Sequence, residues 1–302
     1  MQDILDILKD IPQRRIDTFA IFSIENITLP QRLFGKLLIK HVDLHIRTLN
    51  IDEDVFKGQE TSLEKVGIVT SHLSQIPTCV IHNLEKLKAF GFMNSVLVKN
   101  VKEGEFKNFA GANNLEVLIY SMNRIETVER GAFDNLFNLK TLDLHFNNLK
   151  CIDLSNLPPK LPKKLELQMN KLTDIKLDIV TQMPFGGTIQ LSSNNITSLG
   201  ADLVREAIKN GVYLDLRYNY ELKCDCSIMP LVIARNNGIR GFVFGSCLVF
   251  SDKRTEMELA KLSDLNSCKP NPLDYMAVMT SRSNQVASEM TFFMETAKKM
   301  RM

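Results

Sequence analysis

Leu139-Lys140-Thr141-Leu142-Asp143-Leu144-His145-Phe146-Asn147-Asn148-Leu149 decides the architecture of this chain. Leu115-Glu116-Val117-Leu118-Ile119-Tyr120-Ser121-Met122-Asn123-Arg124-Ile125 repeats the same order of apolar residues around an asparagine. The marker asparagines are Asn123, Asn147, Asn170, Asn194 and Asn219, at steps of 24, 23, 24 and 25 residues. One such unit cannot bury its own apolar residues, whereas stacked units each supply one row to a continuous core. Leu139, Leu142, Leu144 and Leu149 are therefore expected to point inward. Asn147 is expected at the inner bend, where its amide can satisfy backbone groups that the turn leaves unpaired.

The pattern L-x-x-L-x-L-x-x-N-x-L is the signature of leucine-rich repeats, with one short strand per coil. A weaker frame runs upstream through Leu87, Phe90 and Phe92 before Ser95, Leu63, Val66 and Ile68 before Ser71, and Ile39, Val42 and Leu44 before Arg47. This makes about eight coils. The step from 95 to 123 is long, at 28, which implies an insertion near residues 101–108. Phe56, Phe106, Phe133, Leu157, Val180 and Val204 recur after the markers and should plug the convex side. The predicted fold is an α/β solenoid, a right-handed coil with a parallel concave sheet and a disulfide C-cap. Residues 1–36 read as an N-terminal helix and a degenerate first repeat, 37–222 as the repeats, 223–268 as a cysteine-rich cap and 269–302 as a flexible tail.

The net charge of +2 implies no polyanionic partner, so nucleic acid is not expected. No apolar run of 18 residues exists, so no membrane span is expected in this chain. Ile4, Leu5, Leu8 and Ile11 fit one helical face suited to covering the first coil. The same N-terminus lacks a basic region followed by an apolar stretch and is not a secretory signal peptide. The tail holds Met276, Met279, Met290, Met294, Met300 and Met302, and residues 284–300 could form an amphipathic helix, although a loosely ordered end is the commoner outcome.

The six cysteines are Cys79, Cys151, Cys224, Cys226, Cys247 and Cys268. The last four follow the last strand as C-x-C, C and C, a spacing that permits three pairings. It is a poor fit to zinc, because two thiolates on one tetrahedral ion favour C-x2-C or longer spacings. The arrangement resembles the C-terminal cysteine cap of extracellular leucine-rich repeat proteins. In that family the bridges run first to third and second to fourth, which implies Cys224–Cys247 and Cys226–Cys268. Disulfides persist in oxidising compartments, so an extracellular, secreted or lumenal protein is expected. The missing signal peptide conflicts with that location and points to an incomplete N-terminus, as does the missing N-terminal cysteine cap. The coils of Cys79 and Cys151 are three apart, or roughly 15 Å at strand spacing, too far for a bridge. Both are expected as buried free thiols. Asn26-Ile27-Thr28 and Asn195-Ile196-Thr197 are glycosylation sequons.

In each strand, the residues four, two and one before the marker should face outward on the concave side. These columns give Asp143, Glu166 and Asp215; His145 and Arg217; and Met122, Phe146, Met169 and Tyr218. Aromatic, Met and Arg side chains favour protein interfaces. These nine residues are the candidate partner-binding surface, centred on Phe146, although scattered exposed apolar side chains are also ordinary. No catalytic motif occurs. His41, His45, His72, His82 and His145 form no metal-ligand cluster. Asp143 and Glu166 lie on adjacent coils but lack the enclosed pocket that acid–base chemistry needs. No enzyme activity, metal or cofactor is expected.

Residues 37–268 resemble an extracellular leucine-rich repeat domain. Leu33-Phe34-Gly35 and Asp54-Val55-Phe56-Lys57-Gly58 are similar to an arthropod group resembling the non-catalytic subunit of Oplophorus-type luciferin 2-monooxygenase. That resemblance implies a partner subunit without catalysis of its own. The expected function is a secreted, non-enzymatic module that presents its concave strands to a protein. A truncated receptor or adhesion ectodomain and a cytosolic scaffold with reduced cysteines are the alternatives.

Overall fold

The computed structural model describes residues 8, 15–239, 243–250, 254–259, 268–281 and 283–285. The chain forms two compact units, residues 1–170 and 171–302. Of the expected N-terminal helix only Leu8 is described, and it is buried. The rest of that expectation lies outside the described residues.

The first unit is built on parallel strands: β1 (Arg15–Leu29), β2 (Leu38–Ile51), β3 (Lys65–Val69), β4 (Ala89–Met93), β6 (Val117–Ile119), β8 (Thr141–Asp143) and β9 (Lys164–Glu166). The short strands β5 (Asn100–Val101) and β7 (Thr127–Val128) pair with each other apart from that sheet, and β5 takes up part of the long step between Ser95 and Asn123. Leu118, Leu142 and Leu165 stand in register on β6, β8 and β9, and all three are fully buried. Burying a leucine side chain contributes about 2 kcal/mol, so each coil is held chiefly by its inward row. Phe56, Phe106 and Phe133 close the return side of their coils, as the period predicts.

The second unit continues the pattern with β10 (Thr188–Gln190), β11 (Tyr213–Asp215) and β12 (Val243–Phe244), again parallel. Ile189 and Leu214 are in register and fully buried. Here helices replace the turns of the return side: α1 (Leu177–Gln182) buries Val180 and α2 (Ala201–Lys209) buries Val204. The cap follows, with α3 (Met229–Asn236) and the antiparallel hairpin β13 (Ser246–Phe250) and β14 (Arg254–Glu258). Cys224 joins Cys247 and Cys226 joins Cys268, with Cα separations of 5.1 and 5.4 Å. The chain is a leucine-rich repeat solenoid closed by a disulfide C-cap.

Three expectations need correction. Cys79 and Cys151 are free, as expected, but exposed rather than buried. Cys79 sits in a short 3-10 turn (Thr78–Ile81) and Cys151 in irregular chain on the return side of its coil, where the period dictates no inward side. Burial of part of the Cys79 side chain, together with Glu53 and Glu105, holds its thiol above the ordinary cysteine value. Second, residues 272–281 form a helix within the stretch read as a flexible tail. Asp274 anchors it, buried and accepting a 2.6 Å hydrogen bond from Arg205 Nε on α2. Most of the amphipathic segment expected at 284–300 lies outside the described residues. Third, Ile46 and Thr70 are buried, although their column was expected to face outward.

Candidate partner-binding face

The third correction has a backbone cause. Asn94, Met122, Phe146, Met169, Ser193 and Tyr218 all adopt a left-handed φ, between 54° and 67°. Each directly precedes its coil's marker, and the left-handed residue ends the strand by turning its own side chain outward. Ile46 and Thr70 have no such φ. On the long β2 the ordinary alternation continues, and Ile46 follows Val42 and Leu44 to the inside.

Side chains other than Gly and Asn rarely take this conformation, which costs roughly 1–2 kcal/mol. The marker asparagines offset it. Asn147 Nδ2 donates to the carbonyls of Tyr120 at 2.8 Å and Leu144 at 2.9 Å, while its Oδ1 accepts from the Ile125 amide at 3.1 Å. Asn170 binds the Leu149 amide and the Leu144 and Leu167 carbonyls in the same way. In the second unit, Asn219 binds the Ile196 amide and the Leu191 and Leu216 carbonyls. Each asparagine thus ties its own bend to the coil before it.

In the first unit the outcome is a row of three apolar side chains on adjacent coils. Met122 is 48% exposed, Phe146 48% and Met169 46%. The Met122 amide donates to His145 and the Phe146 amide to Gln168, which keeps the three coils in step. The acidic residues beside the row are engaged by side chains of the same chain. Asp143 Oδ1 lies 2.7 Å from His145 Nδ1 and also accepts from the His145 amide at 2.9 Å. Glu166 is buried and pairs with Lys164. The column of Asp143, Glu166 and Asp215, expected to face outward, is therefore largely internal, with Glu166 and Asp215 buried, and the exposed character of this face is apolar. Gln168, next to Met169 in sequence and one coil on from His145, keeps a buried Oε1 without a hydrogen-bond partner.

In the second unit, Arg217 clasps the buried Asp215 carboxylate through Nε at 2.9 Å and a terminal nitrogen at 2.5 Å. That hydrogen bond raises the Arg217 pKa above its ordinary value. Tyr218 is 58% exposed and has the Tyr220 ring 6.3 Å away. The sequence reading did not include Tyr220, nor Phe22, which is exposed on β1 with its ring stacked on His45 at 4.7 Å. Neither lies in a column with an asparagine marker, so the repeat frame gave no signal for them. Among the described residues no group of His, Cys, Asp and Glu is arranged to hold a metal ion. Nor is any described helix long and apolar enough to cross a membrane. Asn26 and Asn195, the two sequon asparagines, are exposed.

No protein-family model matches the chain. A probable glycoprotein hormone G-protein coupled receptor of Anthopleura elegantissima is 33% identical over 132 residues, which are 43% of this chain and 14% of the receptor. Two structures of the Toll–Spatzle complex of Drosophila are similar to the chain. One matches at 20% identity and a TM-score of 0.48, over 72% of this chain and 36% of the matched chain. The glycosylated form matches at 16% identity and a TM-score of 0.44, over 75% of this chain and 37% of the matched chain. The chain thus spans well under half the length of these relatives.

Proposed function

We propose that this chain is a non-enzymatic protein-binding module of an oxidising, extracellular compartment. It docks a protein partner on the outward face of its strands. The row of Met122, Phe146 and Met169 carries the reading, because three large apolar side chains are held outward at a conformational cost while the neighbouring charges are paired internally. The contact in the first unit is centred on Phe146, with Asp143, His145 and Glu166 framing it. Asp215, Arg217 and Tyr218 offer a second contact. The cap disulfides support the compartment, and glycans on the exposed Asn26 and Asn195 would add solubility there.

A receptor ectodomain is favoured among the forms such a module takes, because the sea-anemone relative is named as a receptor. A longer transcript with an apolar 20-mer after residue 302 would support that form; a secreted non-catalytic subunit would lack one. A cytosolic scaffold would hold all six cysteines reduced.

The test compares Phe146→Asp with Phe137→Asp, a control of equal exposure outside the strands. A partner captured from the source tissue should bind the first variant at least about 30-fold more weakly, as expected at an interface hot spot, and bind the second as it binds wild type. Unchanged binding by Phe146→Asp removes this face from the function.

A further inference from the structure

Asp43, Gly67, Gly91, Ile119, Asp143 and Glu166 stand side by side in register across the first unit's sheet. Glycine inside a strand weakens it and often marks the close approach of another group. At Gly67 that group is the Asp43 carboxylate: a Cβ on Gly67 would stand 2.6 Å from Asp43 Oδ1. Asp43 thus lies flat across β3 instead of pointing away from the sheet. Gly91 is the next bare stretch of backbone, and a Cβ there would meet Met93 Cε at 3.6 Å and Ile119 Cβ at 3.8 Å. Of the carboxylates in this row, Asp143 is held by His145 and Glu166 by Lys164. Asp43 is partly buried and has no hydrogen bond or ion pair among the described residues. Lys65, one pleat away on β3, makes no ion pair there either. A carboxylate partly withdrawn from water attracts a cation more strongly than one in bulk solvent.

On the reading that a protein partner docks on the outward face of these strands, we propose that Asp43 receives an arginine side chain of that partner. Charge complementarity selects the occupant, because Asp43 is the one carboxylate of the row that no side chain of this chain engages. A planar guanidinium takes a carboxylate through two parallel hydrogen bonds. The two glycines leave the sheet low beside Asp43, so the guanidinium can lie close to the backbone. Its methylene stem then packs over Gly91 against Ile119 and Met93, as long charged side chains do on apolar surface. Asp43 on β2 is four strand spacings from β8, where Phe146 ends the strand. That is roughly 19 Å, a span one protein partner covers with a cation at one end and apolar side chains at the other.

NMR titration of the full chain reads this site without the partner. The probes are a capped tripeptide with arginine between two leucines and the same peptide with citrulline, which keeps the shape and lacks the charge. The arginine peptide should shift the Gly67 and Gly91 amide signals saturably. It should bind about tenfold more tightly than the citrulline peptide, the size of one charge-assisted contact. Asp43→Asn should remove that preference with the fold intact. Gly67→Ala should weaken it too, because the added methyl takes the place of the carboxylate. Phe146→Asp should bind the arginine peptide as wild type does, so a failed Phe146 contact and a failed Asp43 site are told apart. Unshifted Gly67 and Gly91 signals, equal binding of the two peptides, or an undiminished preference in Asp43→Asn would each overturn the proposal.

Discussion

At Asn147 four hydrogen bonds converge on one side chain, two of them to the preceding coil. Removing the amide orphans the Ile125 N–H and the Tyr120 carbonyl in the buried seam, and each buried unpaired group costs about 1–3 kcal/mol. Asn147→Ala should therefore lower the unfolding free energy by about 3 kcal/mol in chemical denaturation. A loss below about 0.5 kcal/mol, the size of an ordinary surface change, would show that the ladder does not hold the bend. This role was legible in the sequence, since only one position per coil departs from apolar and does so at a fixed step. The left-handed φ of the residue before it was not. Met122, Phe146 and Met169 are poor candidates for that conformation by type, and the neighbouring asparagine imposes it.

The coil around Tyr120 shows how packing within an element can overrule polar satisfaction. The Tyr120 ring is fully buried among Phe90, Phe106 and Phe133, with ring centroids 6.1 to 6.5 Å away. Its hydroxyl has no hydrogen-bond partner. Burial, with Glu105 nearby, holds its pKa well above the ordinary tyrosine value. Tyr120→Phe keeps the aromatic layer and removes the orphan, so the melting transition should move up by the equivalent of about 1–2 kcal/mol. A lower transition would mean that the hydroxyl is satisfied in solution. The period assigns Tyr120 to the inside without saying what its hydroxyl meets there. The early elements were less legible for a related reason. β1 and β2 lack asparagine markers, so neither their length nor the inward turn of Ile46 could be read from the frame.

For the whole molecule, the sequence revealed the period and its stacked coils, the family resemblance implied both bridges of the cap, and of the outward columns Met122, Phe146, Met169 and Tyr218 are exposed as read. The sequence did not reveal that Glu166 and Asp215 are buried against Lys164 and Arg217. A column rule reports direction, while the long cations that fold over a carboxylate depend on neighbours. The correction removes the carboxylates from beside the apolar row centred on Phe146, and so favours at that row a partner that presents apolar side chains over a basic one. The most direct measurement replaces Phe146 with a photo-crosslinking phenylalanine and, in a parallel sample, Phe137 with the same group. Irradiation in the presence of the captured partner should give a covalent adduct from position 146 and none from position 137. Equal adducts from both, or an adduct from 137 alone, would contradict the claim that this chain binds through the outward face of its strands.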